Sequence, residues 1–172
     1  MINDISVRPK AQNKNADRVF YTLLIIALAF VFASYFIDKY KGLISLGALI
    51  CVVAALVIYN RYMSGGYSYD IVTSYEAPLF IVRKTVGKKT TTVYNVELSA
   101  ISEVEVIEAG AECPLPKDFK RYNFRPTLGA VRRAKLTVNS RYEKAVLLIE
   151  GSDEFFDALR AYADEARLAD ED

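Results

Sequence analysis

The sequence predicts an α-helical hairpin followed by an α+β, mainly-β domain. That domain is expected to be a bent antiparallel sheet of about seven strands closed by a C-terminal helix. Three observations carry this. Two apolar runs, residues 19–37 and 43–58, hold no charge and are separated only by Asp38, Lys39, Tyr40, Lys41 and Gly42. From Tyr67 onward the pattern changes to short period-two alternation broken by turn residues. Near the C-terminus, Phe155, Phe156, Leu159, Tyr162, Ala163 and Ala166 recur at helical spacing.

At ~1.5 Å rise per residue the first run approaches the ~30 Å hydrocarbon core of a bilayer, and the second is slightly shorter. The second run extends into Tyr59, a side chain suited to the interface. The polar linker between them is too short to recross a membrane, so the helices are expected to be antiparallel. A cleaved signal peptide fits less well, because Ala27, Leu28 and Ala29, the small-x-small match, lie in mid-run. Core helices of a soluble bundle would carry a polar stripe, yet charges stop at Arg18 and resume at Asp38. Arg8, Lys10, Lys14, Arg18 and Arg61 flank the hairpin, against Lys39 and Lys41 in its loop. The positive-inside rule then predicts a two-span protein of the cell (inner) membrane with both termini cytoplasmic. Tyr21, Tyr59 and Tyr62 mark the inner interface and Tyr35 and Tyr40 the outer one. Gly47, Cys51 and Ala55, with Ala29 and Ala33, are small residues suited to close packing within the hairpin.

Residues 1–17 are polar, contain Pro9 and lack a period, which predicts a disordered cytoplasmic arm. The hairpin occupies 18–63, Ser64, Gly65 and Gly66 form a joint, the sheet domain spans 67–168, and 169–172 is an acidic tail. Strands are predicted over 67–74, 79–86, 90–98, 102–108, 120–125, 133–139 and 143–149, with a hairpin turn at Gly87, Lys88 and Lys89. Residues 109–119, with Gly110, Pro114 and Pro116, read as a loop. The stretch from Ala145 to Ile149 is apolar throughout, as in a strand covered on both faces, and the final helix is expected to cover it. Ser152 suits the N-cap of that helix, with Asp153 and Glu154 complementing its dipole.

Net charge of +1 across 172 residues argues against nucleic acid as a partner. There is no histidine, which removes the commonest general base and metal ligand. The two cysteines, Cys51 and Cys113, are expected at bilayer depth and in a loop, so no disulfide is predicted. No phosphate loop, metal-ligand spacing or nucleophile–base pair occurs, so no catalytic residue, metal or cofactor is assigned and an enzyme is disfavoured.

The hairpin from Leu79, Phe80, Ile81, Val82, Arg83 and Lys84 through Gly87 to Tyr94, Asn95, Val96, Glu97 and Leu98 continues into Ser99 to Val104. With the closing run from Leu147 through Gly151 to Phe156, this order resembles the bacterial pleckstrin-homology-like domains, over roughly residues 67–166. A two-helix hairpin ahead of such a domain is familiar in that family. The resemblance implies a membrane-attached binding or scaffolding module. Phosphoinositide-binding relatives carry basic residues in the first turn, whereas here Ser74, Tyr75, Glu76, Ala77 and Pro78 hold none, so no phosphoinositide site is carried over.

Basic clusters at Arg83 and Lys84, Lys88 and Lys89, Lys117, Lys120, Arg121 and Arg125, and Arg132, Arg133 and Lys135 are the candidate contacts. Converging on one face they would attract anionic lipid at up to ~1 kcal/mol each; dispersed, they are solvated strand edges. Glu103 and Glu105 share a strand face and form the one candidate carboxylate pair. Beyond the bilayer itself, the expected partners are a protein or a second copy at an exposed sheet edge, anionic lipid head groups, or a membrane enzyme or transporter served as an accessory subunit.

Overall fold

The computed structural model describes residues 5–9, 14–73, 77–114 and 116–171. Expectations for 1–4 and 10–13 of the arm, for 74–76 of the first turn and for Asp172 lie outside the described residues. The chain divides into two units, a hairpin over 12–65 and a sheet unit built from 1–11 and 66–172.

The hairpin consists of α1 (Lys14–Ser34) and α2 (Lys41–Ile58), joined through a short turn that includes Asp38–Tyr40. A wider turn, Tyr59–Met63, extends α2. Both helices are long and apolar enough to cross a membrane, with only 11% of each apolar window buried. Ile25, Leu28, Phe32, Leu43, Ile50 and Val57 are among the apolar side chains that face outward. The seam between the helices follows an alternating four-and-three spacing, through Ala16, Phe20, Leu23 and Ala27 on α1 and Ile44, Ala48, Cys51, Ala55 and Ile58 on α2. Gly47 leaves room for the Phe30 ring, which lies 3.4 Å from where a Cβ would stand. Buried Ser34 returns its hydroxyl proton to the Val31 carbonyl at 2.6 Å. Of the small residues expected to pack on α1, Ala33 is half-buried but Ala29 is exposed, and Ala27 and Ser34 are buried. Two residues turn a helix by about 200°, so Ala27 and Ala29 point almost oppositely.

The sheet unit holds two four-stranded sheets. The first has the order β1-β2-β3-β4, from β1 (Ile5–Val7), β2 (Gly65–Val72), β3 (Leu79–Val86) and β4 (Lys89–Glu97). The second has the order β5-β7-β8-β6, from β5 (Ile101–Ile107), β6 (Lys120–Asn123), β7 (Arg133–Asn139) and β8 (Lys144–Ile149). A 3₁₀ turn, Leu98–Ala100, links β4 to β5, and α3 (Asp153–Glu171) follows.

The sheet unit departs from the sequence expectation in several places. Part of the expected disordered arm is a strand: Ile5, Ser6 and Val7 pair antiparallel with Ile71, Asp70 and Tyr69. Ile5 and Val7 turn inward against the core while Ser6 is exposed, a three-residue alternation too short to register as periodicity. Gly65 and Gly66 open β2 and do not form a separate joint. Among the described residues eight strands form in place of about seven, and the pairing is not wholly antiparallel, because β6 runs parallel to β8.

The core joins both sheets and the helix: Tyr69, Ile71, Phe80, Val82, Leu98, Ile101, Leu136, Val138, Leu147, Ile149, Phe156 and Leu159 are all fully buried. Ser152 caps α3, its hydroxyl accepting from the Phe155 N–H at 3.3 Å. The helix lies chiefly along β5 and the Leu98–Ala100 turn, and its Phe155, Phe156 and Leu159 share the core with Leu147 and Ile149 of β8. Arg160 donates to the Val104 carbonyl at 3.0 Å and Arg167 to the Ser102 carbonyl at 3.2 Å. The edge of the second sheet at β5 is thereby covered.

Candidate partner-binding groove

With β5 covered by α3, β1 only three residues long and β6 only four, β4 is the long open edge among the described residues. Its sequence explains why it forms a strand and what it offers. Thr90, Thr91, Thr92, Val93, Tyr94 and Val96 are β-branched or aromatic, and no charge lies between Lys89 and Glu97. Natural edge strands are ordinarily blunted by charge, proline or short length, and this one keeps only a bulge. The bulge lies at Val93, because Val82 pairs with Tyr94 while Arg83 pairs with Thr92. From Tyr94 to Glu97 the pairing with β3 is regular.

A groove of about 890 Å³ runs beside this edge. One wall is β4 from Val93 to Glu97, continued by Ser99 and Ala100; the other is the β7–β8 turn with Arg141, Tyr142 and Glu143. Tyr122 of β6 and Asp170 of α3 complete the lining. The Tyr94 and Tyr122 rings lie 5.2 Å apart at 47°, and both pack on Phe124 at 5.8 Å. The turn is held by Ser140, whose N–H donates to the Glu143 carbonyl at 3.0 Å and whose hydroxyl accepts from the Glu143 N–H at 3.0 Å. Tyr142 beyond it is 97% exposed.

Charge in the groove is mainly negative. Glu97, Glu143 and Asp170 stand against Arg141. Glu143 has Oε2 3.9 Å from Lys120 and lies against the Tyr122 hydroxyl. Burial, then the Glu143 charge and the Tyr122 ring, push the Tyr94 hydroxyl up to about 12. The Tyr122 hydroxyl is raised by its hydrogen bond to Glu143, with burial and the carboxylate charge adding. Both rings therefore stay neutral at physiological pH.

The structure separates the basic candidates and neutralises several. Arg83 pairs with buried Asp70 at 2.8 Å, and Lys84 lies 6.0 Å over the Tyr67 ring. Arg132 bridges Glu108 at 3.1 Å and Asp153 at 2.5 Å, and Arg133 donates to the Ala111 carbonyl at 2.8 Å. Arg125 donates to Asn123 at 3.1 Å. Lys120 and Arg121 pair in register with Ala145 and Val146 at the start of β8, whereas Arg133 opens β7 opposite Ile107, at the other end of that sheet. Among the described residues, Lys88, Lys89 and Arg121 have no carboxylate within salt-bridge distance. The Glu103 and Glu105 pair is absorbed across the strands: Glu105 bonds Lys135, whose pKa rises through that contact, and Glu103 accepts from Thr137 at 3.4 Å. No cluster of metal-ligating side chains occurs among the described residues.

A second polar group is structural. Buried Glu150 accepts the Thr127 N–H at 3.3 Å, and burial raises its pKa against the opposing pull of Thr127 and Arg125. The folded protein then retains the Glu150 proton at a pH where the unfolded chain has lost it. Its contribution to stability is fullest below the ordinary value of 4.5 and declines as pH rises through the raised folded value. Denaturation of the full chain in mild detergent should show this decline setting in above pH 4.5, and Glu150→Gln should flatten it.

Sequence reasoning missed the groove. Its signal was the uncharged run from Thr90 to Val96, but which strand becomes an edge depends on non-local pairing. Comparison with family models, curated proteins and solved structures finds no match for this chain.

Proposed function

We propose that this chain is a membrane-anchored binding module whose sheet unit, of the pleckstrin-homology-like kind, holds a protein partner at the cytoplasmic face. The observation that carries the reading is the uncharged, uncovered β4 edge lying beside a groove. The anchor is the pair of apolar helices. The strands that precede and follow them, β1 and β2, are neighbours in one sheet. The chain therefore leaves this sheet and returns to it, as a spanning hairpin with both ends on one side requires. The excess of basic residues at those ends supports a cytoplasmic position for that side. A lipid-sensing role has less support, since Arg83 and Arg132 already hold carboxylates and the clusters lie on separate elements.

A photo-crosslinking side chain placed at Asn95 in the intact, membrane-embedded protein tests the reading. A discrete adduct from Asn95, absent from the same probe at exposed Glu154 on α3, is the expected result. Equal labelling from both positions, or none from Asn95, would count against it.

A further inference from the structure

We propose that the groove takes an extended polypeptide segment bearing a lysine or arginine, added as a strand along Tyr94 to Glu97 with its cation against Tyr94, Tyr122 and Glu143. This rests on the binding role proposed for the same edge and adds the chemistry of the partner.

The backbone half of the argument is the edge. A strand laid against β4 satisfies outward-facing N–H and C=O groups irrespective of sequence, and alternate side chains then enter the adjoining groove. The bulge at Val93 limits regular pairing to the segment beyond it, and that segment is the one that walls the groove.

The side-chain half is charge and aromatic geometry. Three carboxylates against one guanidinium favour a cationic visitor and disfavour nucleic acid or an acidic lipid head group. Glu143 carries the Tyr122 hydroxyl and only a distant cation, so its charge is left for the N–H of an ammonium or guanidinium. Lys120 neutralises it poorly, being 3.9 Å from Oε2 and 70% exposed. The inclined Tyr94 and Tyr122 rings add faces on which the same cation can rest. A second copy of the chain is the weaker occupant, because a central bulge would interrupt an edge-to-edge ladder between two β4 strands.

The test uses the full chain in mild detergent and three fluorescein-labelled hexapeptides. These are Thr-Arg-Val-Arg-Val-Thr, the same peptide with Glu for both Arg, and the Arg peptide N-methylated at alternate residues. Fluorescence anisotropy should show the Arg peptide binding at least about tenfold more tightly than the Glu peptide. Glu143→Gln and Glu97→Gln should each weaken it several-fold without changing the far-ultraviolet circular dichroism, and N-methylation should remove binding. Equal affinity for the Arg and Glu peptides would overturn the cation assignment while leaving the Asn95 adduct as separate support for partner binding. Retained binding of the N-methylated peptide would overturn strand addition. Failure of all three peptides, with or without a concentration-dependent dimer, would overturn the proposal altogether.

Discussion

Phe156→Ala is expected to lower the stability of the sheet unit by about 3–5 kcal/mol, the cost of an aromatic deletion in a core that cannot collapse around the gap. Phe156 is fully buried, beside Phe155 at 6.2 Å, and Phe155 lies on Tyr69 at 6.1 Å in a near-parallel stack. The site is tight: a Cβ at Gly151 would come within 3.0 Å of both rings. Little movement is available to fill the void, which puts the loss at the upper part of the range. Unfolding of the full chain in mild detergent, followed by near-ultraviolet tyrosine circular dichroism, measures it. A loss below about 1 kcal/mol would show that α3 does not close this core.

The second large effect is expected at Tyr69, where only one oxygen need be removed. Its hydroxyl donates to the Phe124 carbonyl at 2.9 Å and accepts from the Glu150 N–H at 3.3 Å, joining β2 to the ends of β6 and β8 across the core. Burial, set against the Glu150 backbone hydrogen bond, raises its pKa, so the proton stays in place. Tyr69→Phe keeps the ring and abandons both backbone groups. Each abandoned buried group costs about 1–3 kcal/mol, so a loss of about 2–4 kcal/mol is expected. Amide hydrogen exchange should quicken at Glu150, whose N–H loses its acceptor; unchanged protection there in the variant would contradict the role given to the hydroxyl.

Local chemistry made much of this fold readable from the sequence. The bounds of β3 and β7 follow from their alternation and flanking turns, and the Ser152 cap follows from side-chain type at a helix start. β8, apolar from Ala145 to Ile149, is buried save for half-buried Leu148. What eluded the sequence depends on partners distant in the chain. β1 is a strand only because β2, sixty or so residues later, pairs with it. The parallel placement of β6 on β8 leaves no mark on a four-residue segment. Whether the basic clusters converge was open in the sequence, because Asp70, Glu108 and Asp153 reach Arg83 and Arg132 from other elements. The groove has the same origin: Tyr94, Tyr122 and Glu143 become neighbours only when both sheets are in place.

The proposed topology has the hairpin crossing the membrane and the sheet unit wholly on the cytoplasmic side. Substituted-cysteine labelling in intact cells tests this most directly, in a chain with Cys51→Ala and Cys113→Ser. A membrane-impermeant maleimide should label Lys39→Cys in the short turn from outside. It should reach Ser6→Cys in β1 and Tyr142→Cys beside the groove only after the membrane is opened. Labelling of Ser6→Cys or Tyr142→Cys from outside, or protection of all three positions alike, would contradict the account.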